Sequence, residues 1–179
     1  MIYFTSDQHF GHKNLLLQEY CNRPFSSVEE MDEEMIKRWN ECVKHGDLVY
    51  HLGDFTLGVD VYKYLSRLNG RIIFVTVPFH HDKKWISANP NKVIYPMQII
   101  KPKDMVIVLC HYPIAVWDRQ HYGSVHLYGH IHNKEYVLPG FSMNVGVDHH
   151  NFYPVSLPQV TKHMENLGWH IDWKAEYIK

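Results

Sequence analysis

Five short apolar runs in this chain each give way to an aspartate or a histidine, and no other feature limits its architecture as much. Residues 1–6 (MIYFTS) stop at Asp7, and residues 47–52 (DLVYHL) stop at Gly53-Asp54. Residues 72–77 (IIFVTV) end at Pro78, just ahead of His80-His81-Asp82. Residues 105–110 (MVIVLC) stop at His111, and residues 125–128 (VHLY) stop at Gly129-His130. Short runs rich in β-branched and aromatic residues predict buried strands. Between the first two, Ser26-Ser27 followed by Glu29-Glu30 is a capping-box start. Val28, Met31, Met35, Ile36, Trp39 and Val43 then recur at helical spacing, which predicts an amphipathic helix over 28–44 with Gly46 as its stop. Residues 59–68 predict a second helix with Tyr62, Leu65 and Leu68 on its apolar face. Further strands are expected at 134–138, 142–147 and 154–156, with a short helix after Pro158. The aromatics Trp169, Trp173 and Tyr177 are expected to pack back on the core.

A βαβαβ half followed by a strand-rich half predicts an α/β fold with sheets inside and helices outside. In open α/β sheets, ligands gather beyond the carboxyl ends of the strands. Asp7, Asp54, His81, His111 and His130 all fall at that edge. A length of 179 residues suits a single domain, 1–179. The formal net charge of −1 supplies no broad basic field, so neither nucleic acid nor an anionic membrane is favoured as a partner. Three cysteines without C-x-x-C spacing argue for a reducing cytoplasm rather than a disulfide scaffold. The first run turns polar after four residues, so neither a signal peptide nor a membrane span is expected there. Histidine is the residue out of line, 15 against 18 Lys plus Arg, which makes the placement of the imidazoles the question.

Taken singly, the D-x-H of Asp7 and His9, Gly53-Asp54, His80-His81-Asp82, His111, and the G-H-x-H of His130 and His132 are weak signals. A lone histidine beside a strand is usually a satisfied structural group. Five such segments delivered to one sheet edge have no explanation in packing, whereas a site for two metal ions explains them. Mixed imidazole and carboxylate donors suit Zn, Mn, Fe, Co or Ni, and a carboxylate such as Asp54 can bridge ions roughly 3.5–4 Å apart. On an extended chain alternate side chains share a face, so Asp7 with His9, and His130 with His132, are expected to reach one site together.

SDQHFGH, LGDF, HHD, LCHYP and LYGHIH, in that order, resemble the calcineurin-like metallophosphoesterase superfamily over residues 1–150. NVGVD at 144–148 resembles the strand that follows the last motif in its small single-domain bacterial and phage members. The resemblance implies a β-sandwich of two sheets flanked by helices, in four layers, and two divalent transition metal ions as cofactors. Carried over by position, it assigns Asp7, His9, Asp54 and His132 to the first ion. It assigns Asp54, the third-motif residue, His111 and His130 to the second. A metal-bridging hydroxide would attack phosphorus in line while the ions neutralise the phosphoryl oxygens. His81 matches the family's catalytic histidine, which serves the leaving oxygen. Asp82 is either the residue that orients that imidazole or a surface turn acid.

Two departures bear on this reading. The family's third motif is Gly-Asn-His-Asp or Gly-Asn-His-Glu, and here it is Phe79-His80-His81-Asp82. An imidazole can replace an amide as donor, which makes His80 the expected ligand of the second ion. The alternatives are a shifted loop in which His81 ligates, or a weak second site. After Gly53-Asp54 the chain continues Phe55-Thr56-Leu57-Gly58, without the phosphate-binding arginine of the family's protein phosphatases. His12 and Asn14, in the first loop, are candidates for substrate contact or for bracing that loop. Arg23 is either a phosphate clamp or a surface ion pair. His121, His126, His149 and His150 read as solvated loop positions.

The resulting expectation is a metal-dependent phosphoesterase acting on small phosphate esters, with phosphodiesters favoured over monoesters. The alternatives are a nuclease-type phosphodiesterase, hinted at by Trp85 beside Lys83 and Lys84, and a non-catalytic metal-binding scaffold, suggested by the altered third motif.

Overall fold

Apolar residues on both faces of a strand can be satisfied only if both faces are covered, and the chain does this with two sheets and a layer of helices. The computed structural model describes residues 1–78, 80–92 and 94–170, the His80 side chain excepted. β1 (Ile2–Thr5), β2 (Leu48–His51), β3 (Arg71–Val75) and β4 (Ile94–Tyr95) run parallel. β5 (Met97–Ile100) lies antiparallel to β6 (Ile107–Cys110), which is followed in parallel by β7 (Val125–Tyr128) and β8 (Phe141–Asn144). β9 (Val155–Ser156) returns antiparallel to β1, so the sheet orders are β4-β3-β2-β1-β9 and β5-β6-β7-β8.

Side chains alternate along each strand, and this alternation sorts the residues into two cores. Phe4, Tyr50, Leu52 and Val75 from the first sheet meet Ile107, Leu109, Val125 and Leu127 from the second. Val49 and Phe74 point the other way, onto α1 (Val28–Cys42) and α3 (Lys83–Ala88), where Met31, Met35, Trp39 and Trp85 cover them. α4 (Leu157–Asn166) adds Val160 and Met164 to the core between the sheets. Two sheets flanked by helices are thus the architecture that the sequence pattern and the family resemblance predict.

α1 begins as its sequence signature indicates: Glu30 N–H donates to Ser27 Oγ at 3.1 Å, although the Glu30 carboxylate returns to Ser26 N–H rather than to that of Ser27. α4 starts at Leu157, one residue ahead of Pro158, and is closed by a capping box between Ser156 and Gln159. Elsewhere the local pattern misleads. The expected helix over 59–68 is only α2 (Tyr62–Leu65), and Tyr62 faces water. Val61, Tyr64 and Leu68 are the buried residues there, because the Tyr64 hydroxyl reaches the Asp32 carboxylate on α1 at 2.9 Å, a tertiary contact to which periodicity is blind. No strand forms at 134–138. That segment is irregular, with Tyr136 and Val137 exposed and only Leu138 buried. α3, β4 and β5 were not anticipated. α3 lacks a side-chain cap because Asp82, at its N-terminus, bonds elsewhere, and β5 is an edge strand with Met97 and Ile99 exposed. Trp169 packs against the core and donates to Gly123 O at 2.9 Å, while Trp173 and Tyr177 lie outside the described residues. Among the described residues, no helix is long and apolar enough to cross a membrane.

Leu109 is fully buried on β6 between the sheets. Leu109→Ala should cost about 2–5 kcal/mol, measured as a lower urea midpoint with an unchanged slope.

Candidate metal centre

The strands of both sheets stop at a common edge, and the loops that follow are unusual in their backbone. Asp7 (φ 64°), His9 (52°), Asp54 (55°), His130 (73°) and His132 (52°) all adopt the left-handed conformation. The extended geometry expected for D-x-H and H-x-H is therefore wrong: the chain coils at these positions, so that Asp7 and His9 share one donor group while His130 and His132 fall in different ones. Such backbone costs energy in a residue with a Cβ, although Asp and His tolerate it better than most. Hydrogen bonds between loops hold it in place. Asp7 N–H donates to Gly53 O (3.0 Å), His9 N–H to Asp54 O (2.9 Å) and Phe10 N–H to Phe55 O (2.9 Å), joining the loops after β1 and β2. Gly129 N–H donates to His111 O (2.9 Å), and Val147 N–H to Ser6 O (3.0 Å), which ties the second sheet to the first. Gly53 and Gly129 are sterically required. A Cβ on Gly53, at φ 106°, would lie 2.7 Å from Thr76 Oγ1 and 2.9 Å from His111 Nδ1, and one on Gly129 would fall onto Ser6 Oγ and Asp7 Oδ2.

Two of the resulting donor groups hold the residues expected as ligands. The ligand atoms of Asp7, His9 and His132 lie within 4.8 Å of one another, and so do those of Asp54, His111 and His130. Asp54 Oδ2 is 3.3 Å from His9 Nε2 and 3.5 Å from His111 Nε2, so one carboxylate touches both groups. Both ring nitrogens of His9 and Nε2 of His111 are buried without a hydrogen bond. Orphaned buried nitrogens are costly, and imidazoles mixed with carboxylates are the donor set that suits a divalent transition metal. The outer nitrogens are fixed as ligating histidines require: His111 Nδ1 is 2.8 Å from Leu52 O, and His132 Nδ1 is 2.9 Å from Asp148 Oδ2. Burial drives His9 down to about 3, so it is a neutral donor. Burial alone would raise Asp54, but the His9, His111 and His81 imidazoles hold its carboxyl well below the usual range. Burial would lower His132, yet Asp148, Cys21 and Asp7 push it up to about 10, a field that favours positive charge.

The residues expected at the site are not all placed as expected. His81 lies in the same cleft, its ring 4.6 Å from that of His9 and 5.2 Å from that of His12. The cleft, of about 340 Å³, is lined by these three, by His130 and His132, and by the exposed Lys134. Asn14 sits on a 3-10 helix, Lys13–Leu16, outside that lining. Phe79 and the His80 side chain lie outside the described residues, so the expected ligation by His80 does too. Asp82 neither orients His81 nor lies at a surface turn. It is fully buried and accepts from Asp54 N–H (2.8 Å), Phe55 N–H (2.8 Å), Thr76 Oγ1 (2.9 Å) and Trp85 Nε1 (2.7 Å), bracing the backbone that presents Asp54. Arg23 is neither a phosphate clamp nor a surface ion pair. It is 3% exposed and is consumed by Asp148 (2.7 and 2.9 Å) and by the carbonyls of Gln8 (2.8 Å) and Asp7 (2.6 Å). His126 is not solvated: buried on β7, its Nε2 accepts from Ile114 N–H at 3.1 Å and so anchors the chain after His111.

Sequence reasoning missed Asp148 as a site residue, although the NVGVD string contains it. It also missed His51, which no motif marks. His51 Nδ1 accepts from Gly53 N–H (3.1 Å), its Nε2 donates to Gln8 Oε1 (2.6 Å), and Gln8 Nε2 donates to Thr5 Oγ1 (2.7 Å). This chain of bonds braces the loops on either side of Asp7, His9 and Asp54. A larger hollow, of about 690 Å³, lies among Tyr62, Arg71, Lys92 and Tyr95 and has no His, Cys, Asp or Glu in its lining.

No family model matches the chain. An uncharacterized protein of Methanocaldococcus jannaschii is 35% identical over 174 residues, which are 92% of this chain and 91% of that protein. Among solved structures, a protein of unknown function from Aquifex aeolicus has a TM-score of 0.69 at 26% identity, covering 90% of this chain and 98% of that one. An archaeal phosphodiesterase has a TM-score of 0.45 at 21% identity, covering 81% of this chain and 82% of that one. The His and Asp segments that the sequence singles out meet at one sheet edge. The chain belongs to one family with that uncharacterized Methanocaldococcus jannaschii protein. The orphaned His9 and His111 nitrogens, beside the Asp7 and Asp54 carboxylates, fit a divalent metal.

Two expectations follow for this site. Asp148→Ala frees His132 Nδ1 and should weaken metal binding about 10–100-fold, read by isothermal titration. Burial lowers His51 to about 3 from 6.5, so the folded chain holds it neutral while the unfolded chain binds a proton. Its contribution to stability is complete above pH 6.5 and declines as the pH falls toward 3, by up to about 1.4 kcal/mol per unit. In metal-stripped protein, the stability advantage of the wild type over His51→Gln should shrink across that window. A gap independent of pH would remove His51 from the acid response.

Proposed function

We propose that this chain is a dinuclear metal-dependent phosphodiesterase acting on small phosphate esters. The observation that carries this reading is the position of Asp54, whose single Oδ2 lies within 3.5 Å of a nitrogen from each donor group. Two divalent ions bound there would supply a water nucleophile at neutral pH and neutralise charge on the phosphoryl oxygens. Asp7, His9 and His132 would hold one ion, and His111 and His130 the other, with Asp54 shared. The tautomers of His111 and His132 are already set by Leu52 O and Asp148, so Nε2 of each is directed to the site. His81 belongs to neither carboxylate-bearing group and shares their cleft, which suits it to hydrogen-bond or protonate the leaving oxygen.

Charge supports a diester over a monoester. A diester carries one negative charge and a monoester nearly two, while Arg23 is turned inward and Lys134 is the cation of the described cleft lining. The small cleft supports a small substrate. The nuclease reading loses its aromatic surface, because Trp85 is fully buried against Phe74 and cannot stack on a base.

Manganese-loaded protein should hydrolyse bis(p-nitrophenyl) phosphate, and a chelator should abolish the activity. His81→Ala should lower kcat by about 10²–10⁴-fold, with the larger loss on a diester whose leaving group is less acidic than p-nitrophenol. Full metal occupancy without turnover of any mono- or diester would make the chain a scaffold instead, and an unchanged rate in the variant would remove His81 from the chemistry.

A further inference from the structure

Besides the groups that contain Asp7 and Asp54, a set of donors without a carboxylate meets in the same cleft. The ligand atoms of His9, His12 and His81 all lie within 4.8 Å of one another. Their rings are mutual neighbours, with centroids 4.6 Å apart for His9 and His81, 5.2 Å for His12 and His81, and 5.4 Å for His9 and His12. His12 Nδ1 is buried without a hydrogen-bond partner, and so are both nitrogens of His9, which is fully buried. Three imidazole donors with no carboxylate among them differ in chemistry from the groups that contain Asp7 and Asp54. Carboxylate oxygens accept hard ions such as Mn²⁺, whereas an all-nitrogen set selects borderline ions such as Zn²⁺, Ni²⁺ or Cu²⁺. Zinc–nitrogen bonds of about 2.0–2.1 Å in a tetrahedron set the nitrogens roughly 3.4 Å apart, so modest side-chain rotation closes this set around one ion.

We propose that His9, His12 and His81 form a separate all-imidazole site that captures one Zn²⁺-type ion and thereby switches the centre off. The switching rests on the phosphodiesterase reading; the binding does not. A neutral imidazole has one lone pair, so His9 can serve either this ion or the one held with Asp7 and His132. Zinc in the imidazole set therefore withdraws His9 from the first donor group and His81 from the leaving oxygen together.

The test titrates Zn²⁺ into manganese-loaded protein, following bound zinc by calorimetry, its ligand shell by X-ray absorption, and hydrolysis of bis(p-nitrophenyl) phosphate. Zinc should enter a shell of imidazole nitrogens and abolish turnover. His12→Ala and His12→Asn should each raise the half-saturating zinc concentration roughly 10-fold or more, with activity normalised to each variant's own manganese-only rate. Equal urea midpoints for variants and wild type exclude misfolding as the cause. Zinc affinity unaltered in both variants, or a shell with the carboxylate oxygens of simple manganese replacement, would overturn the site. If no phosphate ester is cleaved, the phosphodiesterase reading falls, and the isotherm and absorption spectrum still decide whether the imidazoles bind zinc.

Discussion

Five of the candidate metal donors stand in left-handed backbone, and the structure depends on the bonds that keep them there. Each such residue stores strain that solvent would release, so neighbouring loops must over-determine it. The loop after β1 is bonded along its length to the loop after β2, and the chain after β8 is bonded back to Ser6. Asp82 completes the arrangement from beneath, its two oxygens accepting four hydrogen bonds and holding the turn at Asp54. The donors are thereby placed by backbone rather than by flexible side chains, the arrangement in which a site is positioned before its ligand arrives.

A second constraint joins the two halves of the chain. Arg23 comes from the segment before α1, yet it bonds the carbonyls of Asp7 and Gln8 and, with two nitrogens, the carboxylate of Asp148 more than a hundred residues later. Asp148 in turn orients His132. A buried guanidinium with poor partners would destabilise the fold. Here planar, bidentate geometry makes it a rigid link between the first donor loop and the last. His51 links the loops after β1 and β2 with neutral groups, and its burial is why it remains uncharged.

Much of this was legible in the sequence. The strand runs, α1 with its Ser27 cap and the order of five His and Asp motifs rest on local periodicity and on donor chemistry, both of which are written along the chain. The convergence of Asp7, His9, Asp54, His111, His130 and His132 was legible too, because every one of them follows a strand of the same sandwich. The role of Asp82 was not, since its partners Thr76, Trp85 and the backbone of Asp54 meet only in three dimensions. Arg23 misled for a related reason: a polar residue in a loop reads as exposed until the fold wraps around it. α2 misled because the Tyr64–Asp32 contact, not the spacing of Tyr62, Leu65 and Leu68, chose its buried face.

The sequence by itself determined which atoms are available for chemistry and which runs of residues must be buried, since side-chain identity and apolar patterning survive in any conformation. The tertiary structure decided how those atoms are aimed. It coiled the D-x-H and H-x-H segments instead of extending them, turned Arg23 and Asp82 inward to support the loops, and set His12 beside His9 and His81. Those outcomes depend on contacts between segments far apart in the chain, where loop closure and packing, rather than local preference, fix the direction of each side chain.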